Sequence, residues 1–200
     1  MKVGMIFECG PDGADRKVCE HLTRRLLPDI EIVSVTLDNK PKLVADCGLA
    51  AARLLREGCD RVVVVWDLHP PWRTKGLRPC RRDDRQAILG SLTKARVRPS
   101  QVSLVCIAEE LEAWLIADGR AVSTVLSRSA HPVRVPDVKR PERTRKPKTH
   151  LNKVFQRYSG RPYVDRIHAK MIVEALPDLT RIKRCATFVR FAVKVTGKAP

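Results

Sequence analysis

Two kinds of apolar pattern divide the chain. Short β-branched runs flanked by polar turns recur through its first half. They are Lys2 to Phe7, Ile30 to Leu37, Cys59 to Trp66 with its four consecutive valines, and Val102 to Ile107. An apolar run without a polar face predicts a strand buried on both sides, the signature of a parallel sheet. Between these runs the apolar residues recur every three or four positions. Ala14, Val18, Leu22 and Leu26 form one stripe, Leu43, Val44, Cys47, Ala50, Ala51 and Leu54 a second, and Ala87, Ile88, Leu92 and Ala95 a third. Such spacing predicts amphipathic helices. Asp12 or Asp15 is expected to cap the first and Gly58 to stop the second. The alternation predicts an α/β fold: a three-layer sandwich around a mostly parallel four-stranded sheet, with the Val62–Trp66 strand in its middle.

The second half lacks strand patterns. A helix is expected over Ala108–Asp118, directly after the fourth strand. Arg128 to Lys148 then carries four prolines, eight Lys or Arg and two acids, which predicts a non-helical basic arm, either a disordered linker or a polyanion contact. Beyond it lie helical stripes at Leu151–Tyr158, Val164–Ala175 and Ile182–Val193, predicting a C-terminal helical cover packed on the sheet. His168 lies on one of those stripes and is expected to be a hydrogen-bonded core histidine. The implied organisation is an α/β unit over 1–127, a basic Pro-rich loop over 128–148 and the helical cover over 149–200.

Charge changes the picture more than size does. The 200 residues include 39 Lys and Arg against 22 Asp and Glu, a formal charge of +17. A surplus of that size favours a polyanionic partner, DNA or RNA above all. With aromatics at 4%, base stacking is not the main binding device. Two basic segments are the expected phosphate contacts. One is the loop after the central strand, with Arg73, Lys75, Arg78, Arg81 and Arg82. The other is the arm, with Lys139, Arg140, Arg143, Arg145, Lys146 and Lys148. Seven cysteines, scattered and never spaced C-x-x-C, fit neither a disulfide framework nor a zinc ribbon. Together with the lack of a membrane-span-length apolar stretch or a leader pattern, they predict a cytoplasmic protein with no membrane partner.

Within this basic chain the acids sit at particular places. Glu8 ends the first strand, Asp67 ends the third, and Glu109 and Glu112, expected on one helix face at i, i+3, follow the fourth. Carboxylates at strand ends share the carboxyl edge of a parallel sheet, where open α/β folds bind ligands. Oxygen donors of this kind suit a hard divalent cation, Mg²⁺ or Mn²⁺. A cation held against bound phosphates is the apparatus of phosphodiester cleavage.

Three pieces carry a family resemblance: Phe7-Glu8-Cys9-Gly10, Val65-Trp66-Asp67 and Leu111-Glu112-Ala113-Trp114-Leu115-Ile116-Ala117-Asp118. Lys146-Pro147-Lys148, Tyr163 to Ala169 and Cys185 to Phe191 extend it over nearly the whole chain. In these the chain resembles the TOPRIM-like (topoisomerase–primase) proteins of domain-of-unknown-function family 4276, found among bacterial phage-defence genes. The resemblance implies a TOPRIM-type metal site, with Glu8 as acid/base and Asp67 as metal ligand; the placement of the acids adds Glu112, and His69 or Glu109, as expected metal ligands beside Glu8 and Asp67. It implies a metal-dependent nuclease serving anti-phage defence, an ATPase partner protein, and leaves a homo-oligomer open. The chain departs from the TOPRIM pattern twice. Asp67-Leu68-His69 stands where Asp-x-Asp is usual, and the turn from Glu8 to Asp15 is longer than the compact glutamate turn. Histidine suits Mn²⁺ or Zn²⁺ and is a poor Mg²⁺ ligand. The other reading is therefore an inactive nucleic-acid-binding or regulatory subunit of a defence complex.

Overall fold

The computed structural model describes residues 1–69, 80–198 and 200. Four parallel strands form one sheet in the order β2-β1-β3-β4: β1 Lys2–Phe7, β2 Glu31–Thr36, β3 Arg61–Asp67 and β4 Val102–Ile107. All four strands fall on the apolar runs. β3 is internal, pairing Phe7 with Val65 on one side and Asp67 with Ile107 on the other. Val62 to Trp66 are all buried. Each valine side chain removed from water in this way contributes roughly 1.5–3 kcal/mol before entropy is counted.

Successive side chains of a strand point to opposite faces, and each face has its own helices. Ile6, Val62, Val64 and Trp66 meet α2 (Lys40–Arg56) through Leu43, Cys47 and Leu54, and α3 (Arg81–Lys94) through Ile88 and Leu92. The Asn39 side chain caps α2 by accepting from the Lys42 amide at 3.0 Å. Gly48 lets α2 and α3 touch, since a Cβ there would lie 2.2 Å from the Ser91 carbonyl oxygen.

The opposite face, with Met5, Phe7, Val63, Val65, Val105 and Ile107, meets α1 (Ala14–Leu26) and helices from the second half of the chain. These are α4 (Glu112–Leu115), α5 (Gly119–Leu126), α6 (Pro147–Ser159), α7 (Asp165–Glu174) and α8 (Ala186–Thr196). Helix–sheet–helix layering is the three-layer α/β sandwich. The C-terminal helices share one core with the sheet. At its centre Trp114 packs on Phe188 and Phe191, with ring centroids 5.6 and 5.5 Å away, and its indole Nε1 donates to Thr187 Oγ1 at 2.8 Å. His168 bears out its expected role: Nδ1 accepts from the Val164 amide at 2.8 Å and the ring lies against Phe155. Among the described residues no helix is long and apolar enough to cross a membrane.

Two local expectations are corrected. The segment after β4 is not helical from Ala108. Its backbone continues the contact with β3: Leu68 N–H donates to the Ile107 carbonyl at 2.9 Å and His69 N–H to that of Glu109 at 3.0 Å. Glu109 takes a left-handed φ of 61°, and the helix starts only at Glu112. The helical i, i+3 relation expected between Glu109 and Glu112 therefore does not exist.

The second correction concerns the arm, which is not a free segment. The Val135 amide donates to Ser123 Oγ at 2.8 Å and the Val138 amide to the Ile116 carbonyl at 3.2 Å. Val135, Pro141 and Pro147 are buried. The Glu142 carboxylate caps α8, accepting from the amides of Ala186 at 2.8 Å and Thr187 at 2.9 Å, and from the Thr187 hydroxyl. Sparse apolar anchors and the arm's two acids, Glu142 here and Asp137 through the Gly119 amide, are enough to hold a chain whose average composition is basic and Pro-rich.

Candidate functional site

The sheet has one topological switch point. From β1 the chain moves outward to β2 by way of α1, on one face. From β3 it moves the other way to β4, by way of α3 on the other face. The diverging connections leave a crevice outside the carboxyl ends of β1 and β3, where such folds bind ligands. Glu8 and Asp67 end those two strands and face that crevice, a cleft of about 210 Å³.

Its walls are mostly carboxylate. Glu8, Asp15, Asp67, Glu110, Glu112 and Asp165 line it, with His69 and Lys148. Asp15 is not a cap: α1 opens on Gly13 with no side-chain cap, and Asp12 pairs with Lys17 at 3.7 Å. Gly13 makes the turn possible, since a Cβ there would stand 2.4 Å from the Cys9 side chain. The long turn from Glu8 thus folds back over Cys9 and delivers Asp15 from the first turn of α1.

Burial sets the electrostatics. It pushes the Glu8 carboxyl up to about 8, with Lys40 pulling it down and Asp15 adding to the rise. Glu112, 4% exposed, is pushed up to about 7, again chiefly by burial. Asp15 rises to about 6 through burial and the charge of Asp165. Asp67 is raised well above the ordinary range by burial, then by Asp15 and Glu8. Carboxylates that cannot all ionise together are the expected result of crowding in a poorly hydrated cleft. Glu8 Oε2 and Asp67 Oδ1 are buried with no hydrogen-bond partner among the described residues, whereas Asp67 Oδ2 accepts from the Leu111 amide at 3.3 Å.

Basic groups relieve part of this. Lys148 comes off the arm into the cleft. Its amide donates to Glu110 Oε2 at 3.0 Å and its ammonium pairs with Asp165. Burial works against ionisation of Asp165, but that ammonium and Arg166 hold its carboxyl below the usual range. Lys148 thus lines the cleft while its side chain stays about half exposed.

The structure brings Glu8, Asp67, His69 and Glu112 of the predicted set together. Glu109 does not line the cleft; its Oε1 lies 3.7 Å from His69 Nε2 at the rim. Asp15, Glu110 and Asp165 are additions that the sequence did not single out. Among the described residues no group of three or more His, Cys, Asp or Glu side chains is arranged to hold a metal ion. Of the expected phosphate contacts, Lys139, Arg140, Arg143, Arg145 and Lys146 are exposed on the arm, as are Arg81 and Arg82 in the first turn of α3. Arg73, Lys75 and Arg78 lie outside the described residues.

Comparison with protein-family models and with curated proteins returns no match. The TOPRIM-like resemblance therefore rests on the short sequence pieces quoted for it, from Phe7-Glu8-Cys9-Gly10 to Cys185–Phe191, alone.

Proposed function

We propose that the protein is a divalent-cation-dependent phosphodiesterase acting on nucleic acid, with its site in the carboxylate cleft at the sheet's switch point. One observation carries the reading. Glu8 Oε2 and Asp67 Oδ1 are buried without partners among the described residues, at the place where an α/β sheet takes its ligand. An unpaired buried acceptor costs roughly 1–3 kcal/mol, and more for a charged group. A cation resolves that cost at two carboxylates at once.

The donor set fits Mg²⁺ or Mn²⁺ of the kind that takes one or two protein carboxylates and completes its shell with water and substrate phosphate. That kind of site needs no cage of three protein ligands. Glu8 and Asp67 would be the direct donors. A bound cation supplies Lewis-acid polarisation of the phosphoryl oxygens. The remaining tasks belong to the chain. Glu112 and Asp15, with carboxyls raised toward neutrality, can hold or pass a proton near pH 7. The Lys148 ammonium offers positive charge beside the phosphate. The exposed arginines and lysines of the arm hold the backbone of the strand.

The second reading, a nucleic-acid-binding subunit without chemistry, is favoured by His69 in place of a second aspartate and by the lack of a three-ligand metal group among the described residues. A cleavage assay decides between them. Supercoiled plasmid, single-stranded DNA and tRNA are incubated with Mg²⁺, Mn²⁺ or EDTA, using wild type, Glu8→Gln and Asp67→Asn. Cleavage that needs the cation and is lost in both variants supports the phosphodiesterase. Binding without cleavage under every condition supports the binding subunit.

A further inference from the structure

A second cavity, of about 790 Å³, shares no lining residue with the carboxylate cleft. It lies between the start of α5, the arm at Val133 to Lys139, and the turn that carries Arg181 and Arg184. Its size is within the roughly 300–1,000 Å³ of small-ligand sites. Its chemistry is the reverse of the cleft's. Arg120, Arg134, Lys139, Arg181 and Arg184 line it, against one lining carboxylate, Asp137.

The simplest account is that internal ion pairs consume these cations, and they do so only in part. Asp118, 0% exposed, pairs with Arg120 at 2.6 Å and Arg181 at 3.3 Å. Asp178 pairs with Arg120 at 3.1 Å, and Asp137 reaches Arg181 and, at 3.6 Å, Arg184. Five cations against three carboxylates leave a surplus of two positive charges. The donors are also incompletely used. Arg181 makes both of its pairs through Nη1, leaving Nε and Nη2 without a partner among the described residues. The Arg134 and Lys139 side chains are exposed and have no partner among the described residues.

The wall is built rather than draped. Ser123 Oγ accepts from the Val135 amide, the Gly119 amide donates to Asp137 Oδ1 at 3.0 Å, and a Cβ on Gly119 would stand 2.3 Å from the Val135 carbonyl oxygen. The arm is pressed onto α5, and the buried Asp118 orients two guanidinium groups toward the space between. Guanidinium forks match phosphate oxygens two at a time.

We propose that this cavity binds a phosphate monoester dianion, whose two charges equal the local surplus. The carrier is either a free mononucleotide or the 5′-phosphorylated end of a nucleic-acid strand. This inference does not depend on cleavage in the carboxylate cleft, and Glu8→Gln should leave it intact.

The test is a fluorescence-anisotropy and calorimetric titration of the full chain with three probes: AMP, a short 5′-phosphorylated oligothymidylate and its 5′-hydroxyl counterpart. Each is repeated on the Arg134→Gln/Lys139→Gln variant. Those two side chains have no partner among the described residues, so melting should be unchanged. AMP binding one to one and competing fully with the phosphorylated strand identifies the free nucleotide. A phosphorylated strand that binds at least about tenfold tighter than both other probes identifies the strand end. In either case the double variant should weaken binding about tenfold or more. Equal binding of the two oligonucleotides with none of AMP, no binding of any probe, or an unchanged affinity in the double variant would each overturn the proposal.

Discussion

Replacing Glu8 by glutamine should stabilise the metal-free protein at pH 8 and leave it nearly unchanged at pH 5. The Glu8 carboxyl is raised from its ordinary 4.5 to about 8, with burial the largest cause. Between those two values the folded chain holds a proton that the unfolded chain has lost. Stability therefore falls as pH rises through the window, and the loss is complete above the folded value. Spread over about 3.5 units at 1.36 kcal/mol each, the ceiling is about 5 kcal/mol, of which roughly 4 is reached by pH 8 and under 1 by pH 5. Local relaxation and water entry reduce such figures, and a gain near 2 kcal/mol at pH 8 is the working value. For a chain of this length that is a rise of about 4–8 °C in melting temperature. Glutamine keeps the shape and removes the charge that Asp67 and Asp15 oppose, while Lys40 loses a favourable neighbour. Circular-dichroism melts in EDTA at matched ionic strength, at both pH values, measure the difference. A shift of equal size at pH 5 and pH 8, or a drop at pH 8, would refute the electrostatic account of the cleft. Adding Mn²⁺ at pH 8 should raise the melting temperature of wild type more than that of the variant.

Two further predictions concern the scaffold. Glu142→Ala should cost about 2–3 kcal/mol in urea denaturation, since it strips two amides and the Thr187 hydroxyl at the start of α8 of their charged acceptor; a loss under about 0.5 kcal/mol would show that water replaces it. Gly48→Ala should destabilise by about 1–3 kcal/mol although alanine is the better helix former, because its Cβ meets the Ser91 carbonyl at 2.2 Å; a stabilised variant would mean that α2 and α3 separate freely.

The central strand was legible because burial on both faces leaves no polar position from Val62 to Trp66, whereas the edge strand β2, with Glu31, Ser34 and Thr36, was marked only by its β-branched residues between turns. Glu8 and Asp67 were legible for the same reason, as the first charges to end an apolar run. Asp15, Glu110, Asp165 and Lys148 were not. Asp15 and Asp165 each sit in the first turn of a helix, where an acid is ordinary, and packing of α7 on α1 gives no sequence signal. Glu109 was placed in the cleft because a helix was assumed from Ala108, and nothing in Glu109-Glu110 marks the left-handed turn that exchanges their roles. The arm was misjudged by averaging: eight cations conceal Val135, Pro141 and Glu142, which fasten it. The basic cavity could not be read at all, since Arg120, Arg134 and Arg181 meet only through the folded arm.

The two faces of the sheet are closed by segments that leave the ribosome at very different times. Once β4 has been made, the chain already contains α2 and α3, everything the Ile6–Val62–Val64–Trp66 face requires. The other face has only α1 at that stage, and Phe7, Val65 and Ile107 wait for helices ending at Thr196. A growing chain therefore carries a half-covered apolar sheet for most of its second half, a surface prone to stray association. Folding is completed by α8, docked through the Glu142 cap and the Trp114 cluster, so late truncation or translational arrest should yield aggregates rather than a smaller folded domain.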